Sequence, residues 1–118
     1  MAATKTSKTL LASQSLAANT AVNVTEWNMT TCYGGVAAVK LTNGAPAPTT
    51  APVVVFYIGE ASGTKRQYYS ASGDTTNSSV NHIICELPPG VMFTNVTITN
   101  GATSNITIES YGQELTTI

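Results

Sequence analysis

The chain has 118 residues, enough for one domain with its own core, yet only 9% are charged, where an ordinary soluble domain has about a quarter. Five basic and six acidic residues give a formal net charge of −1. That balance excludes the basic footprint of a nucleic-acid binder or of a protein held on an anionic membrane.

Residues 1–8 carry no core pattern and are expected to form a flexible arm, leaving 9–118 as a single domain. The start lacks the apolar stretch of a secretory signal, and no segment approaches the length of a membrane span. A product made in the cytoplasm is expected. Beyond the arm, alternation of apolar and polar residues predicts strands over 8–16, 20–26, 35–42, 52–59, 65–70, 79–87, 91–99 and 104–112. The separators hold Gly, Pro and Asn, which stop strands and turn the chain. The fold class is therefore all-β, and about eight half-buried strands fit a two-sheet antiparallel sandwich.

Parity assigns the buried faces. Val22 and Val24 oppose Asn23 and Thr25, and Ala37, Val39 and Leu41 oppose Lys40 and Thr42. Val96 and Ile98 oppose Asn95, Thr97 and Thr99, while Ile106 and Ile108 oppose Thr107, Glu109 and Tyr111. In 79–87 the core face is Ile83, Cys85 and Leu87, which leaves Val80 or Ile84 in need of cover. The run Val53–Ile58 is apolar on both faces. Either a loop covers its outer face or another subunit does, and Val54, Phe56 and Ile58 are the candidate self-association face. The two Asn-Gly stretches, "LTNGA" at 41–45 and "ITNGA" at 98–102, read as strand-end turns, the second as a hairpin joining 91–99 to 104–112.

Little of the sequence suggests chemistry. His82 is the sole histidine and Asp74 the sole aspartate, and no Gly-x-Ser-x-Gly elbow accompanies them. One histidine and two distant cysteines do not make a metal site, and no Gly-rich phosphate loop precedes a helix, so neither a metal nor another cofactor is expected. Glu86 and Glu109 could face outward from one sheet, but solvated surface glutamates explain them more cheaply than a glycosidase pair. An enzyme is not expected. Cys32 and Cys85 could form an intersheet disulfide; separate buried thiols are the reading a reducing compartment favours. Asn-x-Ser/Thr matches are as frequent as chance allows in so Asn- and Thr-rich a chain. The aromatic residues Trp27, Tyr33, Tyr68 and Tyr69 could form a platform for sugar rings, although core packing and loop anchoring account for them more cheaply.

Taken in order, "TLLASQSLAANTAVN" at 9–23, "YGGVAAVKLTNGAPAPTTAP" at 33–52, "LPPGVMFTNVTITN" at 87–100 and "ITIESYGQELT" at 106–116 resemble the small β-sandwich virion proteins of tailed bacteriophages. Within that group the chain looks most like capsid decoration, or cement, proteins. The resemblance implies a jelly-roll-like fold and a homotrimer on the capsid surface that binds the major capsid protein and stabilises the head. It implies no catalytic residues. Thr4, Lys5, Thr6, Ser7 and Lys8 would then be a capsid-binding arm. The alternative is a tail or fibre module that binds host surface glycan.

Overall fold

The strand alternation of the sequence is realised as nine strands in two sheets, in a computed structural model that describes residues 4–117. In chain order they are β1 (Thr4–Leu16), β2 (Ala21–Asn23), β3 (Trp27–Asn28), β4 (Gly35–Asn43), β5 (Val53–Gly59), β6 (Arg66–Ser72), β7 (Val80–Leu87), β8 (Phe93–Thr99) and β9 (Ile106–Thr117). One sheet has the order β1-β9-β4-β7. The other has the order β2-β8-β5-β6, with β3 also paired to β8. All pairings are antiparallel. The chain crosses between the sheets after β1, β3, β4, β6, β7 and β8, and this interleaving makes the sandwich a jelly roll.

Parity placed the core correctly. Ala37, Val39, Leu41, Ile106 and Ile108 from the first sheet meet Val54, Phe56, Val96 and Ile98 from the second. Ile83, Cys85 and Leu87 close the core beneath β7, and Leu10 and Leu16 do so beneath β1. Cys32 and Cys85 are buried free thiols, as the second of the two sequence readings has it.

Two expectations are corrected. Thr4–Lys8 is no free arm: these residues belong to β1 and pair with β9, from Thr4 opposite Thr117 to Lys8 opposite Gly112. The polar Thr-Lys alternation hid the strand because β1 is an edge exposed on both faces here, with no apolar side to mark it. Met1 to Ala3 lie outside the described residues.

The Asn100-Gly101 turn is the second correction. It does not close a hairpin, because β8 and β9 lie in different sheets and the turn carries the chain across. The first Asn-Gly, at 43–44, crosses in the same manner between β4 and β5. The two crossings meet: Thr49 N–H donates to the Ala102 carbonyl at 3.0 Å, and Ala102 N–H donates to Thr50 Oγ1 at 2.8 Å. A Cβ on Gly101 would run into the Thr50 carbonyl oxygen, so this approach requires glycine.

Candidate interaction surfaces

Strand β5 shows how one segment divides between core and surface. Val54 and Phe56 are fully buried against the opposite sheet, and Ile58 packs against the same core. They cannot be a self-association face, which corrects that expectation. A strand apolar on both sides leaves the sequence unable to say which side is in, and here the even-numbered side is. The outer side consists of Val53, Val55 and Tyr57. Across the ladder these three lie opposite Thr99, Thr97 and Asn95 of β8. Thr97 Oγ1 donates to Asn23 Oδ1 at 2.8 Å. The central part of this outer face therefore presents hydroxyls, amides and β-branched carbons.

Its rim is held by charge. Glu26 accepts from Ser62 Oγ at 2.6 Å, from Gly63 N–H at 3.0 Å and from Asn95 Nδ2 at 3.0 Å. These bonds, that of Ser62 foremost, hold the Glu26 carboxyl below the usual carboxylate range. They also fold the β5–β6 turn over Asn95, which is buried although its parity points outward. Lys65 Nζ sits 5.9 Å from the Tyr57 ring centroid, within cation–π range.

The outer face of the other sheet carries the residues singled out for chemistry. His82 and Glu86 project from β7, and Glu109 projects from β9 on the same side, two strands away across β4. Lys40 of β4 stands opposite both His82 and Glu109, and its Nζ is 3.6 Å from Glu109 Oε1. Asp74 is committed to its own turn: it accepts from Ser79 Oγ at 2.7 Å, Thr76 N–H at 3.1 Å and Asn43 Nδ2 at 3.0 Å. Those bonds lower its pKa, the Ser79 bond most. Among the described residues no three His, Cys, Asp or Glu side chains come together as metal ligands would.

The aromatic platform divides. Trp27 is a core residue, only 1% exposed, which removes it from any sugar-binding surface. Its indole lies over Gly112, where a Cβ would come within 2.9 Å of the ring, and its Nε1 donates to Glu114 Oε2 at 3.3 Å. Tyr69 is exposed and tilts against Phe56, with ring centroids 6.0 Å apart. Tyr33 and Tyr68 do converge. They line a groove of about 540 Å³ together with Lys5, Glu86, Gln113 and Glu114. A second groove, about 530 Å³, runs along the edge of β7 between Ile84, Cys85 and Glu86 on one side and Tyr68 and Tyr69 on the other. Sequence reading missed both grooves, since they form where strands of different sheets come alongside each other.

No protein-family model matches the sequence, and no curated protein matches it. Solved structures match its fold. The chain is similar to a pilus protein of Bacillus endospore appendages, described as disulfide-linked pili, with 18% identity, 100% of this chain and 93% of that chain covered, and a TM-score of 0.58. It is also similar to a protein of the infectious bursal disease virus T13 particle, with 12% identity, 96% of this chain covered and a TM-score of 0.64. This chain spans only 31% of that viral protein. A Yersinia pseudotuberculosis-derived mitogen shares 9% identity over 97% of this chain and 87% of its own, with a TM-score of 0.57. At these identities the likeness is one of fold.

Proposed function

We propose that this chain is a non-catalytic virion structural protein: a capsid decoration protein that associates with itself and binds the major capsid protein. The observation that carries the reading is the outer face of β5 and β8. It is a rigid sheet surface of Val53, Val55, Tyr57, Thr97 and Thr99, whose strand positions carry no charge. Such a face can be buried against another protein without stranding a charge, and its hydroxyls serve direct and water-bridged hydrogen bonds. Proteins of similar fold occur in the infectious bursal disease virus particle and in Bacillus endospore appendages, which supports a building-block role. The exposed Thr4–Lys8 segment would add a strand-borne contact with two lysines rather than a loose arm. The protein would then be found on the capsid surface.

The test is co-sedimentation of purified protein with expanded capsids that lack it. Wild type should pellet with them, and Val55→Asp, which places a carboxylate in the middle of the face, should stay in the supernatant while remaining folded. Equal binding by both proteins would remove this face from the account.

A second reading has its own observation. Tyr33 and Tyr68 share a groove with acceptors from Glu86, Gln113 and Glu114, the mixture of rings and acceptors that a sugar requires. On that reading the chain is a tail or fibre module that binds host surface glycan. Glycan-array binding abolished by Tyr33→Ala and by Tyr68→Ala would favour it; an array without signal would set it aside.

A further inference from the structure

From the free edge of β7 we infer a specific self-contact: two copies of the chain join β7 to β7, antiparallel, about a two-fold axis at Ile84. A sheet edge invites a partner strand unless something blocks it, and natural proteins block edges with bulges, lysines, prolines or short strands. Three edges of this sandwich are blocked. β1 carries Lys5 and Lys8 and three register shifts against β9. β6 carries Arg66 and sits at a register shift against β5. β2 and β3 are three and two residues long. β7 has none of these devices. Its eight residues, "VNHIICEL", run in unbroken register with β4 and meet no partner strand on the other side among the described residues.

The edge is also accessible. Consecutive residues Ile84, Cys85 and Glu86 line the groove beside it, with Tyr68 and Tyr69 of β6 on the far wall, so the edge is open around the Ile84 position. Ile84 is 57% exposed and Val80 is 48% exposed, an apolar pair on the outer face with no cover in the monomer.

Register selects a second copy as the occupant. With Ile84 opposite Ile84 of the second copy, antiparallel pairing sets residue 82 opposite 86 and 83 opposite 85. Each His82 imidazole N–H donor then faces a Glu86 carboxylate of the other copy, twice over, flanking an Ile84–Ile84 contact. The inward side places Ile83 beside Cys85, extending the apolar core across the junction. Moving the axis to Ile83 would instead set His82 opposite Ile84 and Glu86 opposite Val80, mismatching polar and apolar groups at every outer pair. An axis at His82 would pair Val80 with Ile84 but set the two His82 rings against each other and Glu86 opposite Ser78. Of these three registers the Ile84 one alone sets donors opposite carboxylates, as a complementary two-fold contact requires. The product is one continuous sheet in which the two four-stranded sheets run β1-β9-β4-β7 and then β7-β4-β9-β1.

This contact is two-fold, unlike the trimer implied by the resemblance. Sedimentation equilibrium of the full chain tests it. Wild type should be a dimer, and Ile84→Asp should weaken dimerisation by about 100-fold or more, since it forces two carboxylates together at the axis. Because Ile84 is exposed, the variant should keep the wild-type circular dichroism, and its melting temperature should fall only by the concentration-dependent stabilisation that the dimer supplies. Should it fail to fold, His82→Glu serves instead: it sets Glu opposite Glu86 and should dissociate the dimer, and adding Glu86→Lys should restore it by exchanging the partners. A monomer at every concentration, a trimer, or a dimer indifferent to Ile84→Asp and His82→Glu would overturn the inference. The capsid-binding test has a separate readout and stands or falls by itself.

Discussion

At the scale of single residues, two asparagines do more than their turn positions announce. Asn43 and Asn100 occupy the same place in the two Thr-Asn-Gly-Ala repeats, and both are buried. Asn43 Nδ2 donates to the Asp74 and Thr76 carbonyls at 3.1 and 3.0 Å, tying down the β6–β7 loop. Asn100 Nδ2 donates to the Leu16 and Ser104 carbonyls at 3.0 and 2.8 Å, tying down the end of β1. The sequence marks both as turn formers. It cannot disclose the side-chain role, because the carbonyls they reach are distant in the chain or depend on how the loop closes. Replacing either by alanine strands buried carbonyls, so Asn43→Ala and Asn100→Ala should each cost about 1–3 kcal/mol of unfolding free energy, read by denaturant titration. Charged residues add a pH dependence. Arg66 donates to Glu60 at 2.8 Å and holds its carboxyl down at about 2, from an ordinary value of 4.5. A depressed carboxylate contributes its stability above the ordinary value and loses it as pH falls toward the folded one. Wild-type melting temperature should therefore fall between about pH 4.5 and pH 2 more steeply than that of Glu60→Gln, a difference that vanishes near neutrality. Because this pair is exposed, the difference should also shrink in high salt.

At the scale of elements, strand positions were legible and strand partners were not. All eight predicted segments contain strand, and their core faces followed from period-2 alternation wherever one side was polar, as in β4 and β9. Alternation failed at β5, where Val53, Val55 and Tyr57 are as apolar as Val54, Phe56 and Ile58. It failed again at the start of β1, where neither face is apolar. The structure resolves β5 into a core side and a surface side, and mutations should separate them. Phe56→Ala should lose about 3–5 kcal/mol of stability, the range for emptying a buried phenylalanine site. Val55→Ala, on the outer side, should stay within about 0.5–1 kcal/mol of wild type. Equal losses at the two positions would contradict the assigned faces. Sheet membership was hidden for a different reason. Asn100-Gly101 is a good hairpin turn by its residues, and what makes it a crossing is the pairing of β9 with β1 and β4, contacts far apart in sequence.

At the scale of the whole molecule, a composition with only 9% charged residues gives sheet surfaces of the kind the proposed role would cover. The jelly roll buries its aliphatic residues between two sheets and leaves mostly threonine, serine and asparagine outside, a surface with little charge. The candidate site was legible only in part. Sequence singled out the β5 segment as doubly apolar but chose its wrong side for self-association, and it left Trp27, Tyr33, Tyr68 and Tyr69 open between core packing and a surface platform, which the fold decides residue by residue. Where grooves form, at the meeting of β6 with β7 and around Tyr33, is a property of the folded sandwich. A decoration protein must also be abundant, because it covers a surface built from many identical capsid subunits. The most direct test of that claim is the stoichiometry of this chain per virion, measured against the major capsid protein by quantitative mass spectrometry. The account predicts a copy number of the same order as the capsid subunit; a handful of copies per particle would place the protein on the tail and contradict it.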